Sequence, residues 1–217
     1  MAIVVVGGHS RNIGKTSVVA GLIAAMPEMR WTAMKITQYG HGFCSANGEP
    51  CDCQTADHSV AVSVEEDATT GTDTSRFLAA GAARCLWVRT RMGMLGEVMP
   101  RIRRELETAE NAILESNSVM RFLRPDLYLT VLDAGTADFK DSARLFLDRA
   151  DAVVLNASGE GLEPQWEGVS GRLIARKPRF RIAPPGFMST ELVEFVRARL
   201  GGSARPANRT RCAPDSP

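Results

Sequence analysis

The stretch that decides the fold is residues 3–17, which read IVVVGGHSRNIGKTS. Its four leading apolar residues predict a buried strand, and the apolar-rich run from Lys15 to Ala25 predicts a helix. A strand, a glycine-containing loop that ends in Gly-Lys-Thr, and a helix follow one another in the order of a Walker A phosphate loop. Because the N–H groups at a helix N-terminus attract anions, we predict that this loop binds phosphate.

The residues of the loop have separate predicted tasks. Backbone N–H groups between Asn12 and Thr16 are expected to surround the α- and β-phosphates of a nucleotide. Lys15 is expected to reach the β- and γ-phosphate oxygens, and the hydroxyl of Thr16 to ligate Mg²⁺. The predicted nucleotide-binding residues of the loop are Asn12, Ile13, Gly14, Lys15, Thr16 and Ser17.

One position departs from the usual motif. His9 stands five residues before Gly14, where the usual spacing has a glycine, and Gly8 comes one residue earlier. This departure predicts either a slightly rebuilt loop or a histidine whose side chain points outward.

The rest of the chain alternates short apolar runs with amphipathic segments. Strands separated by helices favour an α/β fold of three layers, with a mostly parallel sheet covered by helices on both faces. Residues 1–200 are predicted to form one domain, residues 39–71 a long insertion loop, and residues 201–217 a disordered tail. Further strands are predicted at 31–36, 84–88, 112–115, 127–132, 152–155 and 180–183, and further helices at 77–83, 97–110, 140–149 and 190–200.

Composition narrows the class of partner. Lys plus Arg number 26 and Asp plus Glu number 25, so the net charge of +1 gives no reason to expect binding to nucleic acid or membranes. The first residues carry no basic segment before their apolar run, unlike a signal peptide. Five cysteines, three of them between positions 44 and 53, are typical of reduced thiols, so we expect a cytoplasmic protein.

Three charged residues stand where they could act on the phosphates. Lys35 ends the second predicted strand and Glu115 ends another, and the carboxyl ends of parallel strands face the ligand crevice. Asp73 begins the run DTSR at the start of a predicted helix, where either it or Thr72 could instead be the helix cap. We predict that Glu115 and Asp73 contribute to Mg²⁺ binding and, with Lys15, to catalysis. The alternative is that the strand-end charges are merely solvated.

These features resemble the MobB-type proteins of molybdopterin guanine dinucleotide synthesis, within the P-loop group that contains dethiobiotin synthetase. That group pairs a Gly-Lys-Thr loop with a second strand that ends in lysine, as at Lys35. MobB-like proteins also carry an Asp-Ser-x-Arg helix start followed by Gly-Ala. Residues 73–82, DTSRFLAAGA, resemble it with Thr74 inserted. The resemblance extends from residue 1 to about residue 120.

The chain also departs from this family. Glu115 is followed by Ser116 where the family has glycine, and residues 37–41, TQYGH, replace a histidine-rich run. In dethiobiotin synthetase-like proteins an asparagine and a proline-bearing loop flank the base, which implies a nucleotide-binding role for Asn156. That similarity favours ATP, whereas the MobB resemblance favours GTP, and both stay open.

The predicted insertion loop contains a candidate metal site. His41, Cys44, Cys51, Cys53 and His58 lie within 18 residues, and three thiolates with one histidine could form a tetrahedral Zn²⁺ site. The alternative is a loop with free thiols.

Three functions are compatible with these patterns. The first is a MobB-like accessory NTPase, expected to form a homodimer, that serves a partner protein in cofactor biosynthesis. The second is an ATP-dependent ligase or kinase that acts on a small acid, as dethiobiotin synthetase does. The third is a nucleotide-gated metal carrier that uses the cysteines of the insertion loop at residues 39–71, called the cysteine loop below.

Overall fold

A computed structural model of the protein describes residues 1–40, 60–156, 166, 168–184 and 186–201. The strands are β1 (Ile3–Gly8), β2 (Trp31–Tyr39), β3 (Val60–Glu65), β4 (Arg84–Arg91), β5 (Asn111–Glu115), β6 (Leu127–Asp133), β7 (Ala152–Asn156) and β8 (Arg179–Ile182). The helices are α1 (Lys15–Ala25), α2 (Asp73–Ala79), α3 (Leu95–Thr108), α4 (Asp141–Arg144) and α5 (Thr190–Gly201). Of the helices in these ranges, none has the length and apolarity that a membrane crossing needs.

The eight strands form one sheet in the order β3-β4-β2-β5-β1-β6-β7-β8. Every neighbouring pair is parallel except β3 and β4, which are antiparallel. The carboxyl ends of β1, β2, β5, β6 and β7 therefore meet along one edge. This arrangement confirms the predicted mostly parallel sheet.

Alternate residues of β1 pack into two different cores. Val4 and Val6 contact the side of the sheet that α1 and α5 cover, whereas Val5 belongs to the cluster on the side of α3. All three are completely buried. Because successive side chains of a strand point to opposite faces, a run of apolar residues is what a strand covered on both sides requires. The predicted three layers are thus confirmed.

The strand β3 is absent from the sequence-based assignment, which included residues 60–65 in a long loop. Val60, Val62 and Val64 alternate with smaller residues, and Val62 lies opposite Val88 of β4. Six residues give too short an alternating pattern to stand out beside a polar stretch. That part of the predicted loop is therefore corrected to an antiparallel edge strand.

Three helices begin elsewhere than predicted, and α3 begins two residues early, at Leu95. Helix α2 starts at Asp73 because the hydroxyl of Thr72 accepts a hydrogen bond from the N–H of Ser75 at 3.1 Å, which makes Thr72 the cap. The helix predicted at 140–149 is reduced to α4 and a short 3₁₀ turn at Leu147–Arg149. Asp138 precedes this segment and has the side-chain chemistry of a helix cap, but it accepts a hydrogen bond from Ser10 instead.

Candidate functional site

The loop between β1 and α1 lies at the carboxyl edge of the sheet. Gly14 has φ +96°, a conformation that side chains with a Cβ rarely adopt, and its carbonyl accepts the N–H of Val18 at 2.9 Å. A Cβ at Gly8 would approach the Lys15 side chain to 2.8 Å. Glycine is thus favoured immediately before the lysine, and a side chain at Gly8 would displace that of Lys15.

His9, in the usual glycine position, points into the protein. Its side chain is fully buried beside Phe139 and Trp166, with ring centroids 5.1 and 5.8 Å away. Nδ1 lies 2.8 Å from the carbonyl oxygen of Asp138, and Nε2 accepts the N–H of Asp133 at 3.0 Å. A carbonyl can only accept, so Nδ1 carries the hydrogen and the ring is neutral. The expectation of an outward histidine is therefore wrong.

Thr16, Lys35, Asp73 and Glu115 form one cluster. The Thr16 hydroxyl donates to Oε2 of Glu115 at 2.8 Å. The Lys35 ammonium pairs with Oδ2 of Asp73 at 2.8 Å and also with Glu115. Glu115 is only 2% exposed, so its charge depends on these partners. Four residues predicted from separate parts of the sequence thus meet at one point.

The cluster favours the charged forms of Lys35 and Asp73. Burial alone would lower the pKa of Lys35, but the carboxylates of Glu115 and Asp73 raise it above its ordinary value. Burial would likewise raise the pKa of Asp73, but the Lys35 ammonium lowers it. The site therefore keeps Asp73 as an ionised oxygen donor.

Lys15 lies beside this cluster with its ammonium directed back at the loop. Its Nζ donates to the carbonyl oxygen of Ser10 at 2.5 Å. Burial lowers the pKa of Lys15 to about 8; Glu115 opposes the shift, whereas the positive charges of Lys140 and Lys35 add to it. An anion that approached Lys15 would reverse this unfavourable balance.

Asn117 is a residue of the site that the sequence analysis missed. Its side-chain Oδ1 accepts the N–H of Gly8 at 2.9 Å, and its Nδ2 donates to the carbonyl of Gly8 at 2.8 Å. These two bonds fix the first half of the loop to the segment that follows β5. The available signal was its position two residues after Glu115, at a strand end. The Arg76 guanidinium likewise donates to the Ser17 hydroxyl at 3.0 Å.

These groups line a cleft of about 1640 Å³. The predicted residues in its lining are Asn12, Gly14, Lys15, Thr16, Ser17, Lys35, Asp73, Glu115 and Asn156. Ile13 instead buries its side chain, and its carbonyl accepts a hydrogen bond from the Asn156 amide at 3.3 Å. Phe187, whose ring would lie 3.3 Å from a Cβ at Gly14, lines the same end of the cleft as Asn156.

The other end of the cleft has an aromatic and apolar wall. Trp87 donates its indole N–H to the Thr37 hydroxyl at 3.1 Å, and the Arg89 guanidinium lies 4.2 Å from its ring centroid. Further members of this wall are Tyr39, Met92, Leu95 and Phe122. The cleft thus extends well beyond the residues of the phosphate loop.

The candidate zinc ligands cannot be placed in this description. His41, Cys44, Cys51, Cys53 and His58 all lie outside the described residues. Within the residues that are described, no three His, Cys, Asp or Glu side chains are grouped so as to hold a metal ion. Cys85 is a free thiol in β4 and is fully buried, which raises its pKa to about 12.

The architecture is similar to that of known P-loop NTPases. HypB from Helicobacter pylori, solved in complex with nickel, superposes with a TM-score of 0.50 at 14% identity, covering 94% of this chain and 89% of that one. The hydrogenase maturation factor HypB from Archaeoglobus fulgidus gives 0.50 at 13% identity, with 92% and 90% covered. The chain has the P-loop NTPase fold.

A further solved structure is less similar, and the sequence comparisons found no match. MobB from Bacillus subtilis gives a TM-score of 0.39 at 14% identity, covering 92% of this chain and 98% of that one, a value too low to carry an argument. No protein-family model and no curated protein sequence matches the chain. The predicted P-loop NTPase is therefore confirmed as a fold, and the roles assigned to single residues stay predictions.

Proposed function

We propose that this protein binds a nucleoside triphosphate together with Mg²⁺ and hydrolyses it slowly. The observation that supports this most is the contact between the Thr16 hydroxyl and Glu115, beside Lys15 and at the end of a Gly-Lys-Thr loop. In a phosphate loop this hydroxyl belongs next to the magnesium, and a strand-end acid belongs behind it. The chain supplies both groups at hydrogen-bond distance of each other.

The donor set fits Mg²⁺. Thr16, Glu115 and Asp73 offer oxygen atoms, which are the donors that this hard cation prefers. When bound, Mg²⁺ would neutralise negative charge that gathers on the β- and γ-phosphate oxygens. Lys35 pairs with both acids and so holds them at the same edge of the site.

Lys15 is proposed to exchange one partner for another when nucleotide binds. Its ammonium donates to the Ser10 carbonyl, a neutral acceptor within its own loop. A phosphate oxygen is the stronger acceptor because it carries negative charge. The lysine would therefore turn to the β- and γ-phosphates with little movement of the backbone.

The nucleoside is proposed to lie against Asn156 and Phe187. Asn156 contacts the carbonyl of Ile13, and Phe187 adjoins Gly14, so both adjoin the loop. An aromatic ring and a side-chain amide can contact a base by stacking and by hydrogen bonding. Both ATP and GTP are compatible with this pair.

The biological role is proposed to be accessory. The resemblance of residues 73–82 to the MobB helix start supports a protein that delivers nucleotide or energy to a partner in cofactor biosynthesis. We also propose that the protein forms a homodimer and is located in the cytoplasm.

A second candidate is an ATP-dependent kinase or ligase for a small acid. The observation in its favour is the size of the cleft, about 1640 Å³, which exceeds the roughly 300–1,000 Å³ of an ordinary ligand pocket. The wall around Trp87 could hold a second substrate. Phosphorylation of an added small acid would favour this candidate, whereas hydrolysis that such acids leave unchanged would favour the accessory role.

The variant Lys15→Ala tests the proposal. Triphosphate affinity, measured by calorimetry with Mg²⁺, should fall at least tenfold, which is about 1.4 kcal/mol, because the point charge is lost while the loop backbone is kept. Arg103→Ala removes an exposed charge from α3 and serves as the control that should bind like the wild type. Wild-type affinity in folded Lys15→Ala would overturn the phosphate-loop assignment.

A further inference from the structure

The cleft contains a lysine for which the phosphate-loop motif has no role. Lys140 lines the same cleft as Lys35 and Glu115. It lies on the segment between β6 and α4. Its side chain is partly buried. Among the described residues no carboxylate lies within ion-pair distance of it. A partly buried ammonium without such a partner bears a desolvation cost that an anion would offset.

The backbone that carries Lys140 is fastened to the phosphate loop. The N–H of Lys140 donates to the carbonyl of His9 at 2.9 Å, and the Ser10 hydroxyl donates to Oδ2 of Asp138 at 2.6 Å. The His9 ring adds bonds to Asp133 and Asp138 at 3.0 and 2.8 Å. We call these four bonds the His9 clamp. They fix the position of the Lys140 backbone relative to the loop.

Electrostatic neighbours place Lys140 at the magnesium end of the site. Burial lowers its pKa, and Arg11 and Lys35 lower it further, whereas Asp138 and Glu115 raise it. Lys140 in turn lowers the pKa of Lys15. Lys35 and Glu115 belong to the cluster around Thr16, not to the end of the cleft near Asn156 and Phe187.

Positive charge exceeds negative charge in this part of the cleft. The cations are Arg11, Lys15, Lys35, Arg76 and Lys140, and the acids in the lining near them are Asp73, Glu115 and Asp141. Asp141 pairs with Arg144 at 3.0 Å. Lys35 already pairs with Asp73 and Glu115. Burial is the main cause of the lowered pKa values of Lys15 and Lys140, and repulsion from neighbouring cations lowers both further. An anion with several charges in this space would remove that repulsion.

We propose that Lys140 is a second phosphate-binding lysine, held in place by the His9 clamp, and that it distinguishes triphosphates from diphosphates by contacting the terminal phosphate. This assignment rests on the proposed nucleotide binding and adds a specificity-determining residue to it. It also gives a reason for the unusual His9: a glycine there could not bond through a ring to the Lys140 segment.

The test compares two nucleotides on two variants. Binding of a non-hydrolysable triphosphate analogue and of the diphosphate, each with Mg²⁺ at fixed ionic strength, is measured by calorimetry for Lys140→Met. The triphosphate should bind at least tenfold more weakly, and the diphosphate less than threefold more weakly. Arg103→Met, which removes an equal charge from the exposed side of α3, should leave both affinities within twofold of the wild type. Lys140→Arg should restore triphosphate binding to within threefold.

The outcomes separate this inference from the proposed function. Unchanged triphosphate binding in Lys140→Met, together with weakened binding in Lys15→Ala, would overturn the role of Lys140 alone. Equal losses for triphosphate and diphosphate would overturn its contact with the terminal phosphate. A wild-type protein that binds neither nucleotide would overturn the proposed function as well.

A double-mutant cycle tests the clamp. If His9 acts by positioning Lys140, then His9→Gln should reduce the preference for triphosphate over diphosphate. The further effect of Lys140→Met in that background should be smaller than in the wild type. If His9 has only a structural role, His9→Gln would weaken the binding of both nucleotides equally and leave the effect of Lys140→Met unchanged. That result would overturn the positioning role.

Discussion

Glu115 joins three elements at a single carboxylate, since it ends β5 and contacts Thr16 of α1 and Lys35 of β2. Glu115→Gln keeps the shape of the side chain and removes its charge. Turnover of the triphosphate should fall at least tenfold, while affinity changes less, because the loop backbone still holds the phosphates. Steady-state hydrolysis and calorimetry on the same samples measure the two effects.

Asp73→Asn is the matched comparison, because Asp73 shares Lys35 with Glu115 but is much more exposed. It should reduce turnover less than Glu115→Gln does. If hydrolysis survives in Glu115→Gln and is lost in Asp73→Asn, the two acids have exchanged roles.

His9 makes the stability of the fold depend on pH. Burial lowers its pKa below 6.5; Asp138 and Asp133 oppose this, and Lys15 adds to it. The native ring therefore stays neutral at a pH where the unfolded histidine takes up a proton. Stability should fall as the pH drops below about 6.5, by at most about 1.4 kcal/mol per pH unit from this residue.

Urea unfolding between pH 7.5 and pH 5.5 measures that slope. His9→Gln is the control, because His41 and His58 remain in both proteins. The variant should show a flatter dependence on pH, and equal slopes would contradict the assignment to His9.

The residues of the cluster could be predicted because each is tied to a local pattern. Lys15 and Thr16 follow from the Gly-Lys-Thr loop, and Lys35 and Glu115 follow from their places at strand ends. His9 and Lys140 could not be, since their roles depend on bonds across 124 residues or more of chain, such as that between His9 and Asp133. A short sequence window contains no trace of such contacts.

At the scale of elements, α3 contains a proline beyond its first turn. The helix begins at Leu95, so Pro100 lies in its second turn, where it cannot donate the usual hydrogen bond to a carbonyl four residues earlier. The helix persists because Val98, Met99 and Ile102 are buried against the sheet. Pro100 itself is exposed.

Pro100→Ala should raise the free energy of unfolding by about 1–2 kcal/mol, since the regained helical bond outweighs the greater freedom of the unfolded chain. Urea denaturation measures this. Pro27→Ala is the control, because Pro27 begins a 3₁₀ turn, where a missing N–H costs nothing. A less stable Pro100→Ala protein would contradict the interpretation.

Element prediction succeeded where both local pattern and burial agreed. The bounds of α1 were predicted to the residue, because a loop motif fixes its start and an apolar run continues through it. Strand β3 and helix α4 were not, because an edge strand is half-exposed and α4 has only four residues. Asp138 shows why local patterns can fail. Its carboxylate has the chemistry of a helix cap, but it accepts a hydrogen bond from Ser10, which is distant in the sequence.

At the scale of the whole molecule, the cysteine loop is predicted to be separable from the phosphate site. Purified protein should contain about one zinc per chain, held by Cys44, Cys51, Cys53 and one histidine. Chelation should increase proteolysis within residues 40–60 and leave nucleotide affinity within twofold, because β1 and α1 have their own core.

Metal analysis, limited proteolysis and calorimetry test this separation. Cys51→Ser should lose the zinc, and Cys85→Ala, which alters a buried thiol in β4, should retain it. Metal-free protein whose residues 40–60 resist protease would contradict the zinc site.

The central position of β1 has a consequence for synthesis. It is made before its partners β5 and β6, which come later in the chain; Ile3 pairs with Ala112, 109 residues on. At roughly 5–20 residues per second, a ribosome needs about 5–20 s to make the intervening chain. During that interval this buried, apolar strand has neither of its neighbours. A nascent chain stalled before residue 110 should therefore depend on chaperones, and release from them should coincide with the emergence of β5 and β6.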